Sequence, residues 1–454
     1  MSPRDLEFLW NPGFKPETPR RAGVKTTRHG AGLAPEGRNL AERKNPRSGR
    51  RRRPPRVLTD REARQRTLAW LLPLLTASLP RRRFSPRLLR RVADLILRAA
   101  SRHHSIARAR ARSKRGPSER HSQRVLGHLA RRKTQRALTL ALREQARPFL
   151  PPHPVDVAVD FHETPYYGEA IDPKRPQFVK TKEERGTHRA YRFVTLDLVT
   201  HGFRFTVAAR YLDHRGRLVA VLRDVLRDAS KAGVEIGRLY LDREFYTYEA
   251  LSWLSGQGLT VIVPLRLGSR QRKKWEHGQK SYVSEHTLKD SKRRGAPLRL
   301  RIHVVVRYQM GRRWKKHGCQ YLAYAVLGHL ALGARHAVPL RQTHELYRRR
   351  FGIESSYRIA HLALPRTCAR SVAWRLLYLG VALMLENEWC AVRLLYTSEG
   401  RQGPTGMDLR EELLRFEDLL ELLFFGVGRV LGTVREIGNP KPLPGRLRRW
   451  GIGL

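Results

Sequence analysis

The chain predicts an α/β fold: a mixed β-sheet core, preceded by a basic helical region and followed by helices. Three observations lead there. Apolar residues recur at helical spacing before residue 150, β-branched runs take over at Val155, and helices alternate with strands from Leu218 onward. With 454 residues, 41% of them hydrophobic and eight of them Trp, the chain has material for two or three domains and a buried core.

Residues 1–60 mix Pro, Gly and Arg without period and carry Arg50 to Arg53 before Pro54 and Pro55, the composition of a disordered basic arm. Residues 61–150 are expected to be a helical DNA-binding region. Leu68, Leu71, Leu72 and Leu75 repeat at helical intervals, as do Leu88, Leu89, Val92, Leu95 and Ile96 behind a Ser85-Pro86 start. A third helical stretch, from about Ser118 to Ala146, groups Val125, Leu126, Leu129, Leu138 and Leu142 apart from Arg124, Arg131, Arg132, Lys133 and Arg136. Such helices suit either a helix-turn-helix reader or a basic bundle touching phosphates, and periodicity does not separate the two.

Pro148 to Pro154 marks the next boundary. Beyond it, Val155 to Phe161, Tyr191 to Val199 and Phe203 to Tyr211 read as strands, with His201-Gly202 as a turn. A helix from Leu218 to Ala232, a strand from Arg238 to Leu241, a helix from Tyr248 to Ser255 and a strand from Thr260 to Leu265 follow. That β-β-β-α-β-α-β order is the order of the ribonuclease-H-like fold. At about residues 266–340 the rhythm breaks, with Lys273-Lys274-Trp275 and a strand pair, Leu298 to Tyr308 and Gln320 to Leu327, expected to form an inserted β-rich subdomain. Helices resume near Thr343 and include an apolar one at Val372 to Leu385, which closes the core domain at about 151–390. Residues 391–454 read as a helical segment, Leu409 to Phe425, and a basic tail.

Charge selects the partner. Ninety-one Lys and Arg against 40 Asp and Glu give a formal +51, which calls for a polyanion, and nucleic acid leads. The longest apolar run, Leu376 to Leu385, is too short to span a bilayer, and the first residues lack a secretory pattern. No membrane partner is expected, and the cytoplasm, associated with the nucleoid, is the expected location. Cys319, Cys368 and Cys390 stand far apart, without the spacing of a zinc ribbon or a disulfide framework.

Chemistry concentrates in three carboxylates. Asp160 stands near the end of an apolar strand reading VDVAVDF, and Asp242 ends another reading RLYLD. The carboxyl ends of strands are where α/β sheets present functional groups, and two adjacent strands would bring both aspartates to one edge. In LYRRRFGIESSYR, Tyr347, Arg350, Glu354 and His361 fall on one helical stripe, beside an apolar face of Leu346, Ile353, Ala360 and Leu364. Glu163 and Glu244 either orient ligands or pair with arginines. His162, His188 and His201 lack zinc spacing and read as surface or turn residues.

The segments VDFHETPYYG, LYLDREFY and YRRRFGIESSYR resemble, as an ordered set, the acidic motifs of DDE-type insertion-sequence transposases, in the group whose glutamate motif reads Tyr-x-x-Arg-x-x-x-Glu-x-x-x-x-x-x-Lys. The resemblance covers roughly Val155 to Glu388. It implies that Asp160, Asp242 and Glu354 bind two Mg2+ ions, with Mn2+ as a substitute, and catalyse hydrolysis at transposon ends followed by strand transfer of the 3′-hydroxyl into target DNA. It implies double-stranded DNA partners, a dimer in the synaptic complex, and contacts from Tyr347 and Arg350 to a DNA terminus. His361 stands where the family has lysine, with Arg358 nearby as a substitute cation. Trp275 and Trp314, in the insertion, become candidates for stacking on an extruded base or, alternatively, for ordinary packing. Two other readings stay open: a domesticated or degenerate transposase that binds DNA without catalysis, and a different ribonuclease-H-like nuclease such as a resolvase. Retention of all three acidic residues speaks against the first, and the glutamate stripe and insertion speak against the second.

Overall fold

The structure, a computed structural model, describes residues 58–81, 83–184, 186–200, 204–213, 218–265, 268–290, 295–308, 319–328, 338–400, 407–409 and 414–433. The basic arm expected before residue 58, the His201-Gly202 turn, Trp314 and the basic tail after residue 433 lie outside the described residues.

Helix α1 (Asp60–Ser78) starts where the Thr59 hydroxyl accepts from the Glu62 amide at 3.1 Å. Helix α2 (Pro86–Ala100) starts on Ser85, whose hydroxyl accepts from the Leu88 amide. Both are side-chain caps that satisfy amides left free in a first turn. After a short α3 (Ile106–Ala111), the stretch expected to be one helix is two, α4 (Glu119–Gly127) and α5 (Arg131–Ala146). The break follows Gly127, a poor helix former, and lets the second half turn onto the sheet.

The sheet has nine strands: β1 (Val155–Pro165), β2 (Val179–Glu184), β3 (Thr187–Val199), β4 (Thr206–Leu212), β5 (Ile236–Leu241), β6 (Thr260–Pro264), β7 (Tyr282–Leu288), β8 (Leu298–Tyr308) and β9 (Cys319–Leu327). Their order is β2-β3-β1-β5-β6-β9-β8-β7, with β4 also paired to β3. Strand β1 lies between β3, antiparallel, and β5, parallel, so the sheet is mixed at its centre. Helix α6 (Leu218–Ala232) links β4 to β5, and α7 (Tyr248–Ser255) links β5 to β6. The insertion is not a separate subdomain: β9 pairs antiparallel with β6, and β8 and β7 extend the same sheet. An otherwise bare β6 edge is thereby hydrogen-bonded. A short helix, α8 (Ser269–Trp275), crosses from β6 to β7.

One face of the sheet, through Val157, Val159, Leu239 and Leu241, packs on α6 and α7. The other, through Ala158, Tyr240 and Ile262, packs on α9 (Thr343–Arg348). A 3-10 turn, Arg349–Phe351, then leads into α10 (Gly352–Leu362), so the polar stripe expected on one helix is carried by a helix, a turn and a second helix. The helices of 60–146 share one core with α11 (Val372–Val392) and α12 (Phe416–Leu431). Helix α12 begins later than the Leu409 start expected for the C-terminal segment. Buried within this core, Arg64 grips Asp94 with two hydrogen bonds of 2.7 and 2.8 Å. Two amide side chains dock the helices on β4: Asn387 of α11 bonds the backbone of Thr206 both ways at 2.8 Å, and Gln135 of α5 bonds Ala209 and Tyr211. No helix among the described residues is long and apolar enough to cross a membrane.

Candidate active site

Register places the aspartates side by side. Val159 of β1 pairs with Leu241 of β5, so Asp160 and Asp242, the next residue on each parallel strand, emerge side by side, Asp242 just past the end of β5 and Asp160 within β1, which runs on past the Phe161 expected as its end to Pro165. Asp160 is 6% exposed. Its Oδ1 accepts from the Phe161 amide at 2.8 Å and from Arg350 Nη2 at 2.6 Å, and the same guanidinium nitrogen reaches Asp242 Oδ1 at 3.5 Å. Burial pushes the Asp160 carboxyl up to about 6, with Asp242 adding to the rise and the Arg350 charge and the Phe161 amide opposing it.

Arg350 is therefore placed differently from the DNA-end contact expected of it. Only 5% exposed, it is the counter-charge of both aspartates, and its Nε is buried without a partner among the described residues. Tyr347 is buried too. Its hydroxyl donates to the Leu241 carbonyl at 3.2 Å and its ring lies 5.7 Å beneath the Arg350 guanidinium, so it braces the arginine from inside the core. Glu354 follows on α10, four residues past Arg350, and its side chain lies outside the described residues. Arg358 is exposed on the same helix. Among the described residues no three His, Cys, Asp or Glu side chains form a group able to hold a metal.

His361 stacks on His162 at 4.9 Å between ring centroids. His162, expected at the surface or in a turn, is instead 2% exposed, and burial with the His361 charge beside it lowers its pKa to about 3, which keeps it neutral. It sits on the inward side of β1, where strand alternation dictates a core position. Trp275, a candidate base-stacking residue, is a core residue. At 1% exposure it packs with Ile302 and Val304 of β8, and its indole N–H donates to the Ser284 hydroxyl at 3.3 Å. A base cannot stack on it without opening that core.

Sequence reading left open whether Glu163 and Glu244 pair with arginines, and it missed the network around Asp197 and the shape of the cavity. Arg192 of β3 ties Glu163 and Glu244 together across the rim, donating to Glu163 at 2.5 Å and to Glu244 at 2.9 Å. Behind Asp160, Tyr357 of α10 donates to the Thr195 hydroxyl at 2.6 Å, which donates to Asp197 Oδ2 at 2.7 Å, while Thr206 donates to Asp197 Oδ1. Asp197 was the detectable signal, a carboxylate inside an apolar strand. Burial pushes it up to about 6 against the pull of the two hydroxyls and Arg204. Finally, the aspartates line an open cavity of about 950 Å³, with Arg192, Tyr324 and His361 among its other walls.

No protein-family model matches the chain, and no curated protein matches it. Among solved structures it is similar, over 85% of its own length and 82% of the other chain, to a piggyBac transposase determined by cryo-EM as a synaptic complex with hairpin DNA, at a TM-score of 0.45 and 10% identity.

Proposed function

We propose that this chain is a DNA transposase with a ribonuclease-H-like core, in which Asp160, Asp242 and Glu354 are the catalytic carboxylates. One observation carries the reading: two aspartates leave adjacent parallel strands at the same level, open on a cavity, and share one buried cation. Carboxylates held this close repel each other unless positive charge stands between them, and phosphoryl transfer calls for such a site.

Carboxylate oxygens are the donor type that a hard divalent cation takes. Asp160 and Asp242 offer oxygen ligands, and Glu354, one helical turn beyond Arg350, is the third ligand the reading requires. Two bound Mg2+ ions, or Mn2+, would supply activation of a water or a 3′-hydroxyl and charge stabilisation at the leaving oxygen. The chain's own residues do the rest. The β1 and β5 backbones fix the spacing of the aspartates, and Tyr347 anchors the segment that carries Arg350 and leads into α10. Arg350 opposes the rise that burial imposes on the Asp160 carboxyl and reaches Asp242, and Arg192 keeps Glu163 and Glu244 paired at the rim. The basic helices and the formal +51 supply contacts to phosphates of double-stranded DNA, and joining two element ends requires two copies of the chain in the synaptic complex.

The test is cleavage and strand transfer on labelled element ends with Mg2+ or Mn2+, comparing the parent with Asp160→Ala, Asp242→Ala and Glu354→Ala after each is shown to fold. Loss of both reactions in all three variants is expected. Unchanged cleavage in any of them removes that residue from the catalytic set, and a parent that binds DNA without cutting it returns the chain to the binding-only reading.

A further inference from the structure

A cavity of about 770 Å³ opens where α5 of the helical region meets β4 and α6 of the core. Among the described residues, seven cationic side chains and three aspartates line it. Two of those aspartates are already answered: Asp228 accepts two hydrogen bonds from Arg210, at 2.7 and 2.5 Å, and Asp224 pairs with Arg227 on the same helix. Arg132 and Arg136, one turn apart on α5, and Lys231 on α6 stand exposed on the walls, with no carboxylate bonded to them among the described residues. The walls are set before any ligand arrives. Gln135 bonds α5 to the backbone of β4, and the Arg131 guanidinium lies 5.8 Å from the centre of the Tyr211 ring. A bound anion therefore has little left to order.

These charges do not serve the helix that carries them. The N-cap of α5, Ala130, has no side-chain acceptor, its first turn holds no acidic residue, and Arg131, Arg132 and Lys133 fill that turn. Cations there oppose the helix dipole, and like charges four residues apart, at Arg132 and Arg136, repel each other. Helices α1, α2 and α4 instead start on Thr59, Ser85 and Ser118, whose side chains accept from first-turn amides. A local rule broken without internal compensation marks residues that act on something else. Cations converging from two elements suit a phosphate group, which neutralises them and accepts several charge-assisted hydrogen bonds. The cavity is also near the carboxylates, on the α6 face of the sheet, whereas Asp160 bonds Arg350 on the α9 face. Arg210 pairs in register with Val194 of β3, and Val194 with Phe161 of β1, the residue after Asp160. Two strand spacings, about 10 Å, separate Arg210 from Phe161, the length of about three base pairs of duplex.

We propose that this cavity is a phosphate-binding site in which Arg132, Arg136 and Lys231 hold one phosphate group between the helical region and the core. A DNA backbone and a free polyphosphate both present such a group, and the short distance to Asp160 favours the backbone; only that choice of source rests on the nucleic-acid reading above. The test uses the full chain and two double variants of equal charge change: Arg136→Gln with Lys231→Gln at the site, and Arg87→Gln with Arg91→Gln, exposed on α2, as the control. Binding of a labelled duplex is followed against salt concentration, and the melting temperature is followed with added tripolyphosphate at fixed ionic strength. The site pair is expected to reduce the slope of log affinity against log salt by about two, and the control pair by less than about one. Tripolyphosphate is expected to raise the melting temperature of the parent and the control pair, and to lose that effect in the site pair. Loss of the tripolyphosphate effect with an unchanged duplex slope keeps the site and makes a free polyphosphate its ligand. Equal changes in both pairs, or no change in either measurement, overturn the site and leave the DNA reading standing. A parent that binds no duplex sinks the DNA reading, and the tripolyphosphate measurement then decides the site alone.

Discussion

Arg350 holds the charge balance of the carboxylate pair from a position 5% exposed, bonded to Asp160 at 2.6 Å and 3.5 Å from Asp242. Deleting one partner of a buried ion pair leaves the other charge uncompensated, a loss of about 3–5 kcal/mol in comparable sites. Arg350→Ala is therefore expected to lower unfolding stability by about 3 kcal/mol in chelator. Because the variant lacks the internal cation, added Mn2+ is expected to raise its melting temperature more than the parent's; an equal rise in both would show that the metal and Arg350 do not answer the same charge. Asp197 gives a test in pH. Its folded pKa, about 6, lies above the ordinary carboxylate value, so its contribution is fully present below about pH 4 and is lost as pH rises through 6. The stability of the parent relative to Asp197→Asn is expected to fall between pH 4 and 7 by about 2–3 kcal/mol. Parallel denaturation profiles over that window would contradict the buried, proton-binding carboxylate. The aspartates of the site were legible in the sequence because each directly follows an apolar run, Val157 to Val159 or Leu239 to Leu241. Arg350 was legible as a site residue but not as their partner, since that contact depends on α9 lying over the sheet, which no local pattern encodes.

Elements with a clean period were readable along the chain, and those without one were not. The helices at Leu218–Ala232 and Tyr248–Ser255 and the strand at Leu298–Tyr308 have the bounds that periodicity predicts. Strand β2, with the sequence VKTKEE, and β7, with YVSEHTL, carry almost no apolar alternation because each lies toward an edge with little to bury. Missing β7 hid the environment of Trp275, whose indole bonds to Ser284 on that strand. The union of the insertion with the main sheet was hidden for a related reason: pairing between β6 and β9 joins segments more than fifty residues apart, and only backbone hydrogen bonds specify it. Edge protection by Gln135 and Asn387 is equally long-range. Each polar side chain sits on an otherwise core-facing helix, where sequence alone marks it as an anomaly without naming its partner.

Across the whole molecule, excess positive charge is the dominant property. Arg124, Arg131, Arg132, Lys133 and Arg136 are exposed on α4 and α5, available to phosphates rather than to internal carboxylates. Binding that neutralises six to ten phosphates is expected to weaken by a factor of about 10³ or more between roughly 50 and 200 mM salt. Titration of a labelled duplex at several salt concentrations checks this, and a change below about tenfold would mean that phosphates are not the main contact. The helical core has a separate consequence for synthesis. Helix α12 closes onto α1, with the backbone of Asp60 so near Gly426 that an added Cβ there would lie 2.2 Å from the Asp60 carbonyl oxygen. At about 5–20 residues per second, a ribosome that has made α1 needs roughly 20–70 s more to deliver its partner. Through that interval the apolar faces of α1 and α2 emerge without their final cover, so a chain cut short before Phe416 is a substrate for chaperones and proteases rather than a smaller working protein.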